Sequence, residues 1–200
     1  MRRVYEREAQ GWMASAGAVD RDAWSPGYDL FAESAKPGGT ILDLGCGPGY
    51  DAPGLKLRGF KLVGFDAVRS FLEANPQAYD GRVVQGDLRA LPFAPESFDG
   101  VWADGVLHHV PKADIDRLLR RVRALLRPWG VLAVSVERGM GERFAPPEGG
   151  ILEPRFYAYY EPEELQTRLE SAGFEPVGLI VGGESARSHG FVMATALRLG

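Results

Sequence analysis

Residues 41–49, ILDLGCGPG, constrain this chain more than any other stretch. The apolar run of Ile41, Leu42 and Leu44 ends abruptly in Gly45-Cys46-Gly47-Pro48-Gly49. That pattern predicts a buried strand running into a glycine loop, where positive φ is tolerated and a ligand can approach the backbone. A helix starting just past the loop presents free N–H groups to a polar ligand. A dinucleotide loop reads G-x-G-x-x-G. Here Tyr50 stands where the third glycine belongs, and the spacing is G-x-G-x-G. Asp43, inside the strand end, repels a pyrophosphate and can receive a cation. The ligand expected therefore carries a nucleoside at one end and a cationic amino acid at the other, which argues against a nicotinamide-dependent dehydrogenase.

Apolar periodicity organises the rest of the chain. Residues 51–58 suit a short helix closed by Gly59, 61–65 a second strand ending on Asp66, and 68–74 a helix stopped by Asn75-Pro76. Residues 82–86 read as a third strand and 98–103 as a fourth. Leu118, Leu119, Val122, Leu125 and Leu126 fall on one face of a helix over 114–126. Pro128-Trp129-Gly130 breaks it before a fifth strand at 131–136. A helix over 162–172 precedes strands at 174–181 and 191–197, whose link, 182–190, has no helical pattern, so these two strands are expected to pair antiparallel. Alternating strand and helix imply an α/β, doubly wound Rossmann-like mixed sheet with helices on both faces. Residues 137–153, rich in glycine and proline, are expected to form a mobile loop, a candidate lid.

DLGCGPG resembles the first motif of the class I S-adenosylmethionine-dependent methyltransferases. Asp66 follows the glycine loop at about the separation expected of a ribose-binding acid, and three further segments resemble that family in order: QGDLRALPFAPESFDGVW at 85–102, LHHV at 107–110, and LLRPWGVLAVSV at 125–136. The last departs from the family at Trp129, where glycine is usual. The resemblance is strong over 40–136 and implies a seven-stranded sheet with its last strand antiparallel. It implies S-adenosylmethionine as cofactor, with S-adenosylhomocysteine as product. It also implies cofactor contacts from Asp43, Gly45, Cys46, Gly47, Gly49, Asp66, Ala67, Asp87, Leu88 and Asp104. Asp66 has a competing role as a helix N-cap, and Asp87 as a turn residue. The domain layout expected is one methyltransferase domain: an N-terminal helical cap over 1–37, a cofactor-binding core over 38–136, a substrate-side insert over 137–160, and a C-terminal helix with two strands over 161–200.

The acceptor side rests on fewer signals. His108 and His109 follow the fourth strand and are candidate proton acceptors, one of them structural. Tyr5 and Trp12 lie on an expected N-terminal helix. Arg155, Tyr157 and Tyr160 belong to RFYAYY, whose aromatic density exceeds what a linker needs; they are candidate substrate contacts or anchors of the insert. No metal-ligand spacing accompanies the histidines. A small-molecule acceptor is the leading expectation, with a transfer-RNA wobble uridine-like acceptor and a non-catalytic S-adenosylmethionine-binding subunit as alternatives. Arg117, Arg120, Arg121, Arg123 and Arg127 would supply a phosphate-binding face for the RNA reading, or simply a solvated one. A net charge of −4 gives no global attraction to nucleic acid or membrane. Cys46 is the single cysteine, so no internal disulfide forms. The start, MRRVYEREAQGW, lacks the apolar core of a signal peptide, and no apolar run is long enough to cross a bilayer. A cytoplasmic protein is the default expectation.

Overall fold

Strand β1 (Thr40–Leu44) is the axis of the molecule: its four residues after Thr40 are buried, and it pairs in parallel with β2 (Lys61–Asp66) on one side and β4 (Phe98–Ala103) on the other. The computed structural model describes residues 2–16, 25–147, 151–182 and 190–200. Beyond β2 lies β3 (Val83–Gln85), and beyond β4 lies β5 (Leu126–Glu137), both in parallel. Strand β9 (Phe191–Arg198) pairs antiparallel with β5 and with the edge strand β8 (Phe174–Gly182). The seven-stranded order is β3-β2-β1-β4-β5-β9-β8. All seven strands read from the sequence are in this sheet, and the antiparallel pairing of the last two holds. The link at 183–189 lies outside the described residues.

Helices cover both faces. On one, α5 (Lys112–Leu125) buries Ile115, Leu118, Leu119, Val122 and Leu125, joined by Leu165 and Leu169 of α6 (Pro162–Ser171). Each such side chain stabilises the fold by about 1.5–3 kcal/mol through removal from water. On the other, α2 (Ser25–Ser34) and α3 (Ala52–Leu57) pack Tyr28, Phe31 and Leu55 around Trp102 of β4. Helix α1 (Arg2–Ala16) lies against α4 (Arg69–Ala74), with Ala9, Val68 and Phe71 buried between them.

Two expectations need correction. Residues 137–153 are not a plain loop. Strand β5 runs to Glu137, and β6 (Glu142–Ala145) pairs antiparallel with β7 (Arg155–Ala158), so part of RFYAYY is a strand. Residues 148–150 of that stretch lie outside the described residues. The break at 128–130 also falls inside β5. The register passes from Phe98 opposite Leu126 to Gly100 opposite Val131, so residues 127–130 bulge out opposite Asp99. Arg127 fastens the bulge to Asp99 at 2.9 Å.

Candidate functional site

The strand order reverses between β1 and β4, and their carboxyl ends diverge there. In open α/β sheets this switch point is where ligands bind. The glycine loop follows β1, and Asp104-Gly105 follows β4. A cavity of about 240 Å³ opens between them, walled by Gly45, Cys46, Gly47, Asp66, Ala67, Leu88, Asp104 and Gly105 and roofed by Tyr5, Trp12 and Phe71.

The loop needs its glycines for two reasons. Gly45 has φ +79° and a Cβ there would lie 2.3 Å from the Val106 side chain, so any larger residue pushes the β4 side of the crevice away. Gly47 has φ +50°, and a Cβ would project toward the Trp12 ring at 3.8 Å, into the cavity. The Gly45 and Cys46 amides donate to the Phe65 carbonyl at 2.7 and 3.1 Å, tying the loop to the end of β2. Asp66, at that end, accepts from the Gly47 amide at 3.0 Å and the Val68 amide at 2.7 Å. The N-cap reading does not hold, because Val68 occupies the N-cap position of α4; Asp66 instead braces the loop and the turn into that helix, and its carboxylate lines the cavity. Burial raises its pKa, opposed by those amide hydrogen bonds. Such a carboxylate gains from two hydroxyl donors.

The other candidates divide. Asp104 lines the cavity and accepts from the Ser135 hydroxyl, which in turn accepts from the Gly105 amide at 3.1 Å. Leu88 lines it too. Asp87 does not: its carboxylate is held by the Arg89 guanidinium at 2.9 and 2.5 Å, which lowers its pKa to about 2. Asp43 is buried behind the loop, accepting from the Tyr79 hydroxyl at 2.7 Å; burial, with Asp51 nearby, pushes its pKa well up. Asp43 and Gly49 therefore shape the loop from outside the cavity wall. No local pattern points to Tyr79, which is 36 positions from Asp43. Asp51, also missed, lines the cavity and accepts from the Tyr28 hydroxyl at 2.6 Å. Burial pushes the Cys46 thiol up, so it stays protonated.

His109 lines the cavity and His108 lies behind it. The His109 Nδ1 faces the Phe156 carbonyl at 2.9 Å. A carbonyl only accepts, so Nδ1 carries the proton and Nε2 is the free base. The Tyr5 hydroxyl lies 2.9 Å from Nε2 and therefore donates to it, while Arg155 donates to the same hydroxyl at 3.0 Å. Burial lowers the His109 pKa to about 4, with Arg155 adding to the effect. His108 is buried, with Nδ1 unpartnered among the described residues, and burial lowers its pKa well below the ordinary value. Its ring packs against those of His109 and Tyr157. Tyr157 packs on both histidines at 4.8 Å. Arg155 and Tyr157 form a layer behind Tyr5 and His109. Tyr160 is elsewhere, its ring under Lys112 and Arg168 between α5 and α6. Alternation along β7 and its exit explains this: Tyr157 and Tyr160 leave the chain in different directions.

Helix α1 is fastened over the site by several bonds. Glu6 accepts from the Arg69 and Ser70 amides at 2.9 and 3.2 Å, Tyr50 donates to the Met13 carbonyl at 2.9 Å, and Glu8 accepts from the Leu152 amide. The arginines proposed for a phosphate-binding face are largely engaged internally. Arg121 donates to the Leu91 and Phe93 carbonyls, Arg123 to Gly173, and Arg117 pairs with Asp114.

A doubly wound sheet with a glycine cradle and a ribose-type acid at its switch point defines a nucleoside-cofactor protein. The methyltransferase domain family matches residues 42–134. An uncharacterized methyltransferase of Synechocystis is 32% identical over 146 residues, which are 70% of this chain and 69% of that protein. The 27-O-demethylrifamycin SV methyltransferase of Amycolatopsis mediterranei is 34% identical over 158 residues, 70% of this chain and 56% of that one. A solved structure of a 1,6-didemethyltoxoflavin N1-methyltransferase from Burkholderia thailandensis, with 1,6-didemethyltoxoflavin and S-adenosylhomocysteine bound, superposes with TM-score 0.77. It is 25% identical, and the match covers 99% of this chain and 88% of that one. The chain spans about half the length of other curated relatives, 50% for uncharacterized methyltransferases of Mycobacterium. This chain belongs to the class I S-adenosylmethionine-dependent methyltransferases, and S-adenosylmethionine is the cofactor of that family. The cavity suits it: a carboxylate for ribose hydroxyls at Asp66, a glycine wall a Cβ would fill at Gly47, and aromatic faces for a cation at Tyr5 and Trp12.

Proposed function

We propose that this chain transfers a methyl group from S-adenosylmethionine to a small-molecule acceptor. The observation that carries this reading is the roof: α1 lays Tyr5 and Trp12 over the glycine loop, leaving a partly enclosed crevice roofed by aromatic rings. The rifamycin and toxoflavin enzymes, named for small-molecule acceptors, support it by analogy. The internal pairing of the α5 arginines weighs against an RNA acceptor.

Bound here, the cofactor would supply a methyl group activated by a sulfonium. The residues of the chain have three tasks. Asp66 would hold the ribose of the nucleoside end, with Leu88 against the base, and the Gly45 to Gly47 backbone would border the methionine end. Trp12, Phe71 and Tyr5 exclude water and offer ring faces to positive charge. His109, neutral near pH 7, is placed to take a proton at Nε2 once Tyr5 yields it. Domain boundaries follow the same logic, with 1–37 as cap and 137–160 as the acceptor-side insert.

Calorimetric titration with S-adenosylhomocysteine, with NADH as control, tests the cofactor half. Micromolar binding of the first ligand alone, weakened in Asp66→Ala, is expected. A preference for NADH would overturn the assignment. Transfer of labelled methyl to a panel of phenols and nitrogen heterocycles, against total transfer RNA, tests the acceptor half. Labelling of the RNA alone would replace the small-molecule reading, and cofactor binding with no labelled product would favour a non-catalytic subunit.

A further inference from the structure

The Tyr5 hydroxyl occupies an unusual seat. A neutral imidazole nitrogen with its lone pair toward the cavity accepts its proton at 2.9 Å, and a guanidinium donates to its oxygen at 3.0 Å. The base takes the proton end and the guanidinium the oxygen end of an O–H group, and the Tyr5 hydroxyl stays protonated there because burial raises its pKa against the opposing pull of Arg155. The phenol ring is boxed edge-on by Trp12, Phe71 and His109, at centroid distances of 6.1, 6.0 and 5.5 Å. The chamber therefore already holds a phenol, and that phenol belongs to the protein. That hydroxyl ties α1 to the turn after β4 and to β7, while Glu6 separately fastens the same helix to α4. The helix also breaks just behind Tyr5: Glu8 has φ −112° and ψ 16°, outside helical geometry.

We propose that Tyr5 stands in for the methyl acceptor, and that the acceptor is an aromatic or enolic O–H compound that takes its seat between His109 and Arg155. This rests on the methyltransferase reading above and names its acceptor class. The acceptor proton goes to His109 Nε2 and the acceptor oxygen forms its bond to the methyl carbon. The carbon–sulfur bond breaks with its electron pair going to sulfur, and the imidazolium then releases its proton to solvent. His109 would be the catalytic base, and Arg155 would hold the developing oxyanion. Cationic amines are disfavoured, because Arg155 repels them.

The test uses the full chain saturated with S-adenosylhomocysteine and a matched pair of probes, 4-nitrophenol and its methyl ether 4-nitroanisole. Equilibrium dialysis should show the phenol bound at least about tenfold more tightly, because the ether cannot supply the proton the seat accepts. Tyr5→Phe removes the competing hydroxyl and should tighten phenol binding, while His109→Phe should abolish the preference over the ether. Equal binding of the two probes to the unaltered protein, binding of neither, or weaker phenol binding in Tyr5→Phe would each overturn the proposal. The unaltered protein decides between the probes without any variant. Its failure to bind S-adenosylhomocysteine would instead sink the methyltransferase reading on which the proposal rests.

Discussion

Trp129 carries the strained backbone of the bulge in β5. It departs from the family where glycine is usual, and the structure gives it φ +64°, a left-handed conformation that costs a side-chain-bearing residue about 1 kcal/mol. Its indole is 65% exposed, so little packing offsets that cost. Trp129→Gly should raise stability by about 1 kcal/mol in urea unfolding, with the denaturant slope unchanged. A destabilised variant would mean the indole contributes more than its exposure implies. His109 makes the opposite kind of contribution. Its folded pKa, about 4, lies below the unfolded value near 6.5. The unfolded chain thus binds more protons between these values, and stability is complete above about pH 6.5 and lost as pH falls toward 4. His108, shifted in the same direction, adds to this. Thermal midpoints measured across that window should fall less in His109→Gln than in the unaltered protein, by the equivalent of about 1–2 kcal/mol given the partial exposure of the ring. Equal slopes would mean that the imidazole charges freely in the folded state.

Among the elements, α4 depends on a neighbour for its start. Its N-cap position is Val68, which has no side-chain acceptor, and the first-turn amides of Arg69 and Ser70 are taken instead by Glu6 of α1, whose other donor is the Ser70 hydroxyl at 2.7 Å. The cap, and with it the roof of the cavity, is a tertiary contact across 63 residues. Glu6→Ala should cost about 1 kcal/mol, the ordinary loss of a capping oxygen. It should also speed hydrogen exchange in α1 more than in β1 or β4, since the roof loosens and the core does not. Uniform exchange would show that α1 and the core open together. The Ser70 hydroxyl and the two amides lower the Glu6 pKa against an opposing burial cost, so this contribution is present near neutral pH and fades as the carboxylate is protonated. The same scale explains what sequence missed. Helix α5 was readable because five apolar residues repeat at helical spacing on one face. The β6–β7 hairpin was not, because glycine and proline around it signal turns and its alternation spans four residues a side. The pairing of Asp43 with Tyr79 was hidden for another reason: no local pattern links two residues that meet only when α4 and its following turn fold back over β1.

At the scale of the whole molecule, the parts that could be read from sequence are those fixed by strand order. The crevice between β1 and β4 follows from alternating strand and helix, and it brings Gly47, Asp66 and Asp104 together whatever the loops do. The acceptor end is built from α1, the turn after β4 and β7, segments separated by about a hundred and about fifty positions. Its Tyr5–His109–Arg155 cluster therefore forms only in the folded chain. This division predicts how the molecule responds to cofactor. A ligand that binds only the folded state adds stability of RT ln(1 + [L]/Kd), about 2.7 kcal/mol at a hundredfold excess over Kd. For a chain of 200 residues that corresponds to a rise in melting temperature of about 5–10 °C with S-adenosylhomocysteine. Asp66→Ala should lose most of the rise, because Asp66 is both a wall of the cavity and the brace of the Gly47 amide. Asp87→Ala should keep most of it, because Arg89 already holds that carboxylate away from the cavity wall. Equal losses in the two variants, measured at matched ligand concentration, would show that the cofactor reaches past Leu88 and draws Asp87 from Arg89.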